Sequence, residues 1–431
     1  MSSSPKSLND MAWEKLFDKY NILEKICLQG RFEISATQIK EFREPRLMAK
    51  FDHAINLPKI FSNNKLAILP ISRGDYVISN FNAYHKFESG NATITRLALP
   101  SYIQSLDANK IPSEAIALNC AVAAGIIEDF LQDEDIIPTV SGRMGSGAFT
   151  FDIMNSKSGS PCSVQVNNAQ IEIDAAYEGV GSLALFEAKR DLSDDFLIRQ
   201  LYYPFKLWQS RITKPVRPIF LVYSNGIYKI YEYAFQDINN YNSLVLVNQK
   251  NYSIEETTVE ITDIQNVLNK VEIEEEPNIP FPQADSFERI INICELLNEQ
   301  ELSRHDVTEK YAFDVRQTNY YTDAARYLGL IEKKKNNDGI TVYTLSIAGK
   351  RILNLNFRQR QLAYCDCILS HKAFKDTLLR YFEIGDIPST EEIVRIMKFS
   401  SLYKVKSDNT FERRSSTIKS WLNWIVGLIN E

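Results

Sequence analysis

Apolar residues recur at helical spacing near the start of the chain (Trp13, Leu16, Phe17, Tyr20, Leu23, Ile26) and predict a helix over residues 11–27. Helical and extended patterns alternate up to residue 110, with a short strand and turn at 65–74, so residues 1–110 read as an N-terminal α/β region. Residues 113–131 predict one apolar helix, with Ser113 as N-cap and Glu114 beside its positive end. Residues 139–147, small and glycine-rich, read as a flexible loop, followed by short strands at 149–154 and 163–166. Then come a strand at 169–176, a two-glycine turn at 178–182 and a strand at 183–189. The second strand is almost continuously apolar, as expected where both faces are covered. A helix at 192–208 precedes strands at 218–223 and 226–233, joined at Ser224-Asn225-Gly226, a hairpin signal. This order describes an α/β domain over 111–255 with a mixed sheet flanked by helices.

Residues 256–282 are acidic, end in three prolines and read as a linker. Beyond them helices fit at 286–297, from 307, and at 314–328, followed by a charged hairpin tip at 333–339 and a strand at 340–345. Three helices and a two-stranded wing make a winged helix over 283–356. Helices at 374–382, 389–397 and 410–429 repeat the theme in a second winged-helix-like domain, 357–431.

Composition narrows the function only by exclusion. No run of eighteen apolar residues exists, and the first ten residues lack an apolar signal core, so a cytoplasmic protein without a membrane partner is expected. The six cysteines and four histidines are scattered, which favours ordinary buried thiols over a Cys/His metal centre. The net charge of −6 does not advertise nucleic-acid binding, yet it is unevenly spread: residues 281–431 hold 22 Lys and Arg against 20 Asp and Glu, the rest 27 against 35.

A complete chemistry is offered at one place. Asp174 ends Ile171-Glu172-Ile173-Asp174, and Glu187 and Lys189 end Leu183–Lys189. Side chains alternate along a strand, so Glu187 and Lys189 share a face, and antiparallel pairing across a short turn brings Asp174 near Glu187. Two close carboxylates repel unless a cation lies between them. Hard oxygen ligands suit Mg²⁺, which polarises a phosphoryl oxygen and acidifies a bound water. Lys189 would orient that water or stabilise charge in the transition state. The plainer reading is a solvated strand edge, against which stands the apolar run before it.

At these residues the chain resembles the PD-(D/E)XK nuclease superfamily, in particular type II restriction endonucleases, over about residues 113–235. The resemblance places the D on Asp174 and the E and K on Glu187 and Lys189, with Ile173 where the pattern has Pro. It implies Mg²⁺ held by Asp174, Glu187 and the Ala188 carbonyl. It puts Glu128 at the position of an auxiliary acid, where a plain surface residue is the other reading. Glu172 shares a face with Asp174 and is placed to assist. Gln200 and Tyr203 resemble a glutamine-tyrosine motif on the following helix. Gln200 would hold a phosphate or a metal-bound water, or else pack on the sheet.

DNA contacts have several candidates, each with a solvated-surface alternative. Arg143 lies in the expected loop. Arg316, Gln317, Asn319 and Tyr320 lie on the third C-terminal helix and carry base-reading groups. Lys333 and Lys334 suit phosphates beside a wing. Arg413, Arg414 and Lys419 lie on the last helix, and Arg43 and Arg46 in the N-terminal region. The C-terminal part also resembles winged-helix modules of restriction enzymes and regulators. Together these features imply a Mg²⁺-dependent type II restriction endonuclease cutting double-stranded DNA, acting as a homodimer that assembles before or on the DNA. The alternatives are a DNA-binding regulator with an inactive nuclease-like core and a structure-specific repair nuclease.

Overall fold

The structure is a computed structural model and describes residues 6–430 apart from 89, 91, 92, 256, 257 and 312. Among these residues it has a seven-stranded mixed sheet, two three-stranded sheets and two two-stranded ribbons, packed with many helices in a mixed α/β architecture. No helix of the described residues is long and apolar enough to cross a membrane.

The N-terminal region opens with two helices, Leu8–Tyr20 and Ile22–Gln29, where the spacing predicts one. The break is Asn21, at φ 50°, a left-handed conformation that a short polar side chain tolerates. The turn leaves Leu23, expected inward, 41% exposed. Ser7 and Asp10 close the first helix with reciprocal caps. Trp13 and Phe61 meet edge to face at 4.7 Å in a core closed by the sheet of Phe32–Ser35, Asp75–Ser79 and Ala67–Pro70.

The central domain runs β1 (Ile94–Arg96), α1 (Glu114–Ala123), α2 (Ile126–Leu131), β2 (Ile137–Gly145), β3 (Gln170–Glu178), β4 (Leu183–Lys189), α3 (Arg199–Gln209), β5 (Val216–Ser224), β6 (Ile227–Phe235) and β7 (Leu244–Ser253). The spatial order is β1-β7-β6-β5-β4-β3-β2. β4 lies antiparallel to β3 and parallel to β5, in the interior of the sheet. One face packs on α1 and α2 through Ala184, Phe186 and Ile219, the other on α3 and the hairpin Ala148–Met154/Pro161–Asn167 through Leu183, Leu185 and Phe220. Coverage on both faces explains the unbroken apolar run of β4.

Four local expectations change. The helix over 113–131 breaks at Gly125 into α1 and α2, although Ser113 caps it as expected. The loop over 139–147 is largely strand: β2 runs to Gly145. Gly142 at φ 92° and two register shifts make it a bulged edge strand, which reads as a loop because bulges also take glycine. The helix over 192–208 starts only at Arg199. Asp195–Leu197 instead pairs with Tyr84–Lys86, a partner too distant in sequence to leave a local pattern. The strand β7 had no counterpart in the pattern.

Within the acidic stretch 256–282, helix Ile261–Lys270 buries Ile264 and Leu268. The C-terminal region continues with α4 (Phe287–Glu299), α5 (Arg304–Lys310) and α6 (Val315–Tyr327), capped by Asp314. A three-stranded sheet follows, Leu302–Ser303, Thr341–Leu345 and Ile331–Lys335, in which Lys333 and Lys334 lie on the strand rather than at the tip. Helices Ile347–Leu353, Phe357–Leu369, Lys372–Ile384 and Thr390–Lys398 lead to α7 (Asp408–Gly427). One hydrophobic core spans both sides of residue 356: Trp421 packs edge to face on Phe287 and stacks on Phe374.

Candidate active site

The antiparallel ladder between β3 and β4 ends one step before the acids. It runs from Leu183 opposite Glu178 to Phe186 opposite Ala175, so the next pair in register is Glu187 and Asp174. There a side chain replaces the backbone: Ala188 N–H donates to Asp174 Oδ2 at 2.8 Å. The amide that the ladder abandons is satisfied, and the strands part beside the carboxylates. On its other side β4 stays paired to β5 through Lys189 opposite Val222, which fixes the strand end.

Glu187 and Lys189 share a face, as alternation requires. Lys189 Nζ donates to Glu187 Oε1 at 2.5 Å and lies 3.3 Å from the Ala188 carbonyl. From α3, Gln200 Nε2 donates to the same Glu187 oxygen at 2.5 Å, while Gln200 Oε1 is buried without a hydrogen-bond partner. Asp174, Glu187, Lys189 and Gln200 line one pocket of about 300 Å³, joined by Glu114, Arg199 and Lys50. At its rim Arg143 of β2 pairs with Glu172 of β3 at 3.1 Å, both exposed.

Burial dominates the electrostatics. It pushes the Glu187 carboxyl up to about 7, against the opposing Lys189 ammonium and with help from Asp174. Burial also raises Asp174, opposed by Lys189 and the Ala188 amide. For Lys189 burial disfavours the charge, but Glu187, Asp52, Glu114 and Asp174 outweigh it and hold the ammonium charged. Two carboxyls raised by burial, the adjacent Ala188 carbonyl and the unpartnered Gln200 Oε1 offer oxygen donors only, a chemistry that suits Mg²⁺ better than a softer ion. Among the described residues no group of three or more His, Cys, Asp or Glu side chains is placed to hold an ion.

Glu128 is not in this pocket. It is exposed on α2, beyond the break at Gly125, and lines neither cavity described here. Glu114, on the first turn of α1, lines the pocket with Asp174 and Glu187 instead. Burial raises its carboxyl, and it is coupled to Lys189 and Glu187. Its position next to the N-cap is the signal that marks it in the sequence. Asp52 and Lys50 carry no such signal, because they reach the site through docking of the N-terminal region. Leu197 N–H donates to the Asp52 carbonyl at 2.9 Å and Ala54 N–H to Asp195 Oδ1 at 3.1 Å. His53 is buried there, its Nε2 3.2 Å from Asp191 Oδ2.

A second cavity, about 840 Å³, shares Lys50, Glu114 and Lys189 with the first. It brings together residues far apart in sequence: Arg43 and Arg46 from the N-terminal region, Lys189 from β4 and Arg316 from α6. Asn56 ties the N-terminal side to the C-terminal side, its Nδ2 donating to the Thr308 carbonyl at 3.1 Å and the Tyr311 carbonyl at 2.7 Å. Arg316 Nε donates to Tyr320 Oη at 2.8 Å; Gln317 and Asn319 are half-buried. Arg414 of α7 lies within electrostatic reach of Tyr320 and Asp323 of α6, so the two helices share a surface. Lys333, Arg413 and Lys419 are exposed, Lys334 pairs with Glu301, and these four line neither cavity.

Three family models match, each over part of the chain. Residues 10–78 match Domain of unknown function (DUF6996), residues 79–253 match Domain of unknown function (DUF6997) and residues 289–430 match Domain of unknown function (DUF7226). No curated protein and no solved structure matches the chain.

Proposed function

We propose that the protein is a Mg²⁺-dependent endodeoxyribonuclease of type II restriction character, built on a PD-(D/E)XK nuclease core with C-terminal winged-helix domains. The observation that carries this reading is the convergence of Asp174, Glu187, Lys189 and Gln200 in one pocket that shares Lys50, Glu114 and Lys189 with the cleft bearing Arg43, Arg46 and Arg316. Mg²⁺, held by Asp174, Glu187 and the Ala188 carbonyl, would supply Lewis acidity and an acidified water. Lys189, kept cationic by the surrounding acids, would donate to the phosphoryl oxygens as negative charge grows in the transition state or orient the attacking water. Gln200 fixes the Glu187 carboxylate through its amide nitrogen and offers its free oxygen to the attacking water. Cationic side chains of the cleft would hold the backbone, while Arg316, Gln317 and Asn319 would read base edges. Cutting both strands of a duplex calls for two such sites and hence a homodimer.

Plasmid DNA incubated with the full chain and Mg²⁺ should yield discrete fragments, and Lys189→Ala should abolish cutting while leaving duplex binding in Ca²⁺ intact. A smear would overturn sequence specificity. Absence of cutting in Mg²⁺ and Mn²⁺, with binding retained, would favour the second reading, a DNA-binding regulator with an inactive core. That reading draws on there being, among the described residues, no group of three or more His, Cys, Asp or Glu side chains placed to hold an ion.

A further inference from the structure

Four cations line the pocket around Glu187: Lys50, Arg143, Lys189 and Arg199. Three have carboxylate partners. Lys50 Nζ lies 3.6 Å from Asp52 Oδ2, Arg143 Nε 3.1 Å from Glu172 Oε1 and Lys189 Nζ 2.5 Å from Glu187 Oε1. Arg199 has no such partner among the described residues, and its Nε is buried without a hydrogen bond. Its guanidinium stands 5.7 Å from the ring centroid of Tyr203, whose hydroxyl is engaged by the Pro70 carbonyl at 3.0 Å. The other groups that feel its charge, Tyr76, Tyr84 and Tyr241, are phenols rather than anions.

A guanidinium does not shed its proton, and a partly enclosed charge without a counter-ion costs free energy. The first turn of α3 adds to the cost, because the N-terminal end of a helix is its positive end. Gln200 follows directly and bonds Glu187, so the position of Arg199 is tied to the acids. Lys189 is already matched by Glu187. Of the four cations that line the pocket, Arg199 is the one without a carboxylate partner among the described residues.

We propose that Arg199 is a substrate-binding residue for the phosphate at which Lys189 acts, its planar fork taking the non-bridging oxygens of a phosphodiester. This rests on the reading of the pocket as a phosphodiester-cleaving site. The test begins with a probe independent of cleavage: thermal unfolding of the full chain in sodium phosphate against sodium chloride at matched ionic strength. Wild type should be stabilised by phosphate, Arg199→Gln should lose most of that shift, and Arg199→Lys should keep part of it. A wild-type protein indifferent to phosphate, or Arg199→Gln with the full shift, overturns the proposal. Should Arg199→Gln fail to fold, Arg199→Lys decides: an undiminished shift overturns it. Single-turnover cleavage in Mg²⁺ then separates the two claims. Arg199→Gln should cut at least about 100-fold more slowly and bind duplex in Ca²⁺ more weakly than wild type. A wild type that shows the phosphate shift but cuts nothing would sink the nuclease reading and leave Arg199 as a phosphate site.

Discussion

Substituting Glu187→Gln removes one ionisable carboxyl from the pocket at nearly constant shape. In the unfolded chain that carboxyl titrates near 4.5, and in the folded protein at about 7. Between these values the folded state keeps a proton that the unfolded state has lost. The stability contributed by that proton is complete below 4.5 and is lost as pH rises through 7. A tenfold difference in proton affinity corresponds to about 1.4 kcal/mol, so the whole effect amounts to about 3 kcal/mol. Lys189 still has Asp52, Glu114 and Asp174 favouring its charge when Glu187 is gone. The constant cost of losing its contact to Lys189 shifts the variant's stability equally at every pH in this range. Urea unfolding of both proteins, with chelator present so that no dication draws off the proton, measures the difference. From about pH 5 to about pH 8 Glu187→Gln should gain about 2.5 kcal/mol on wild type, most of the whole effect. Two pH profiles that run parallel would refute the argument that burial governs Glu187.

Three further outcomes are expected. Glu114→Gln should slow Mg²⁺-dependent cleavage, whereas Glu128→Gln should leave rate and stability within about 0.5 kcal/mol of wild type, measured in one single-turnover series. Asn56→Ala removes two donations to the Thr308 and Tyr311 carbonyls. It should loosen the N-terminal region by about 1–3 kcal/mol, read as faster amide exchange across residues 51–62 with the central sheet unchanged. Arg360 and Glu255 form a buried pair at 3.3 Å, with Phe357 N–H also donating to Glu255 at 2.6 Å. Arg360→Met strands the carboxylate and should cost about 3–5 kcal/mol in urea unfolding, with Arg360→Met/Glu255→Gln recovering much of it.

Residues that act through local geometry were legible from the chain. Strand alternation is enough to put Glu187 and Lys189 on one face, and a short turn brings Asp174 across. Gln200 was legible because the helix after β4 carries it, even though that helix starts seven residues later than its pattern implies. Glu128 misled because apolar spacing reads straight through Gly125 and does not say which turn of a helix faces the pocket. Lys50 and Asp52 leave no trace in their own neighbourhood, since only tertiary docking brings them in. The arginine-rich segments had a comparable fate. Arg46 and Arg316 reach one cleft through contacts such as that of Asn56, which no period or motif encodes.

Asn292 of α4 is fully buried and holds the backbone just past Lys189: its Nδ2 donates to the Arg190 carbonyl at 2.7 Å, and Leu192 N–H donates to its Oδ1 at 3.1 Å. The same helix shares a core with α6. Under the proposed reading, the helix that reads bases and the strand that cuts are joined without a hinge. The offset between the recognised sequence and the broken bond is then a length built into the protein, like the spacing between two marks on a ruler. Exchanging the C-terminal part for one with another recognition helix would retune specificity only if the newcomer brought its own equivalent of Asn292.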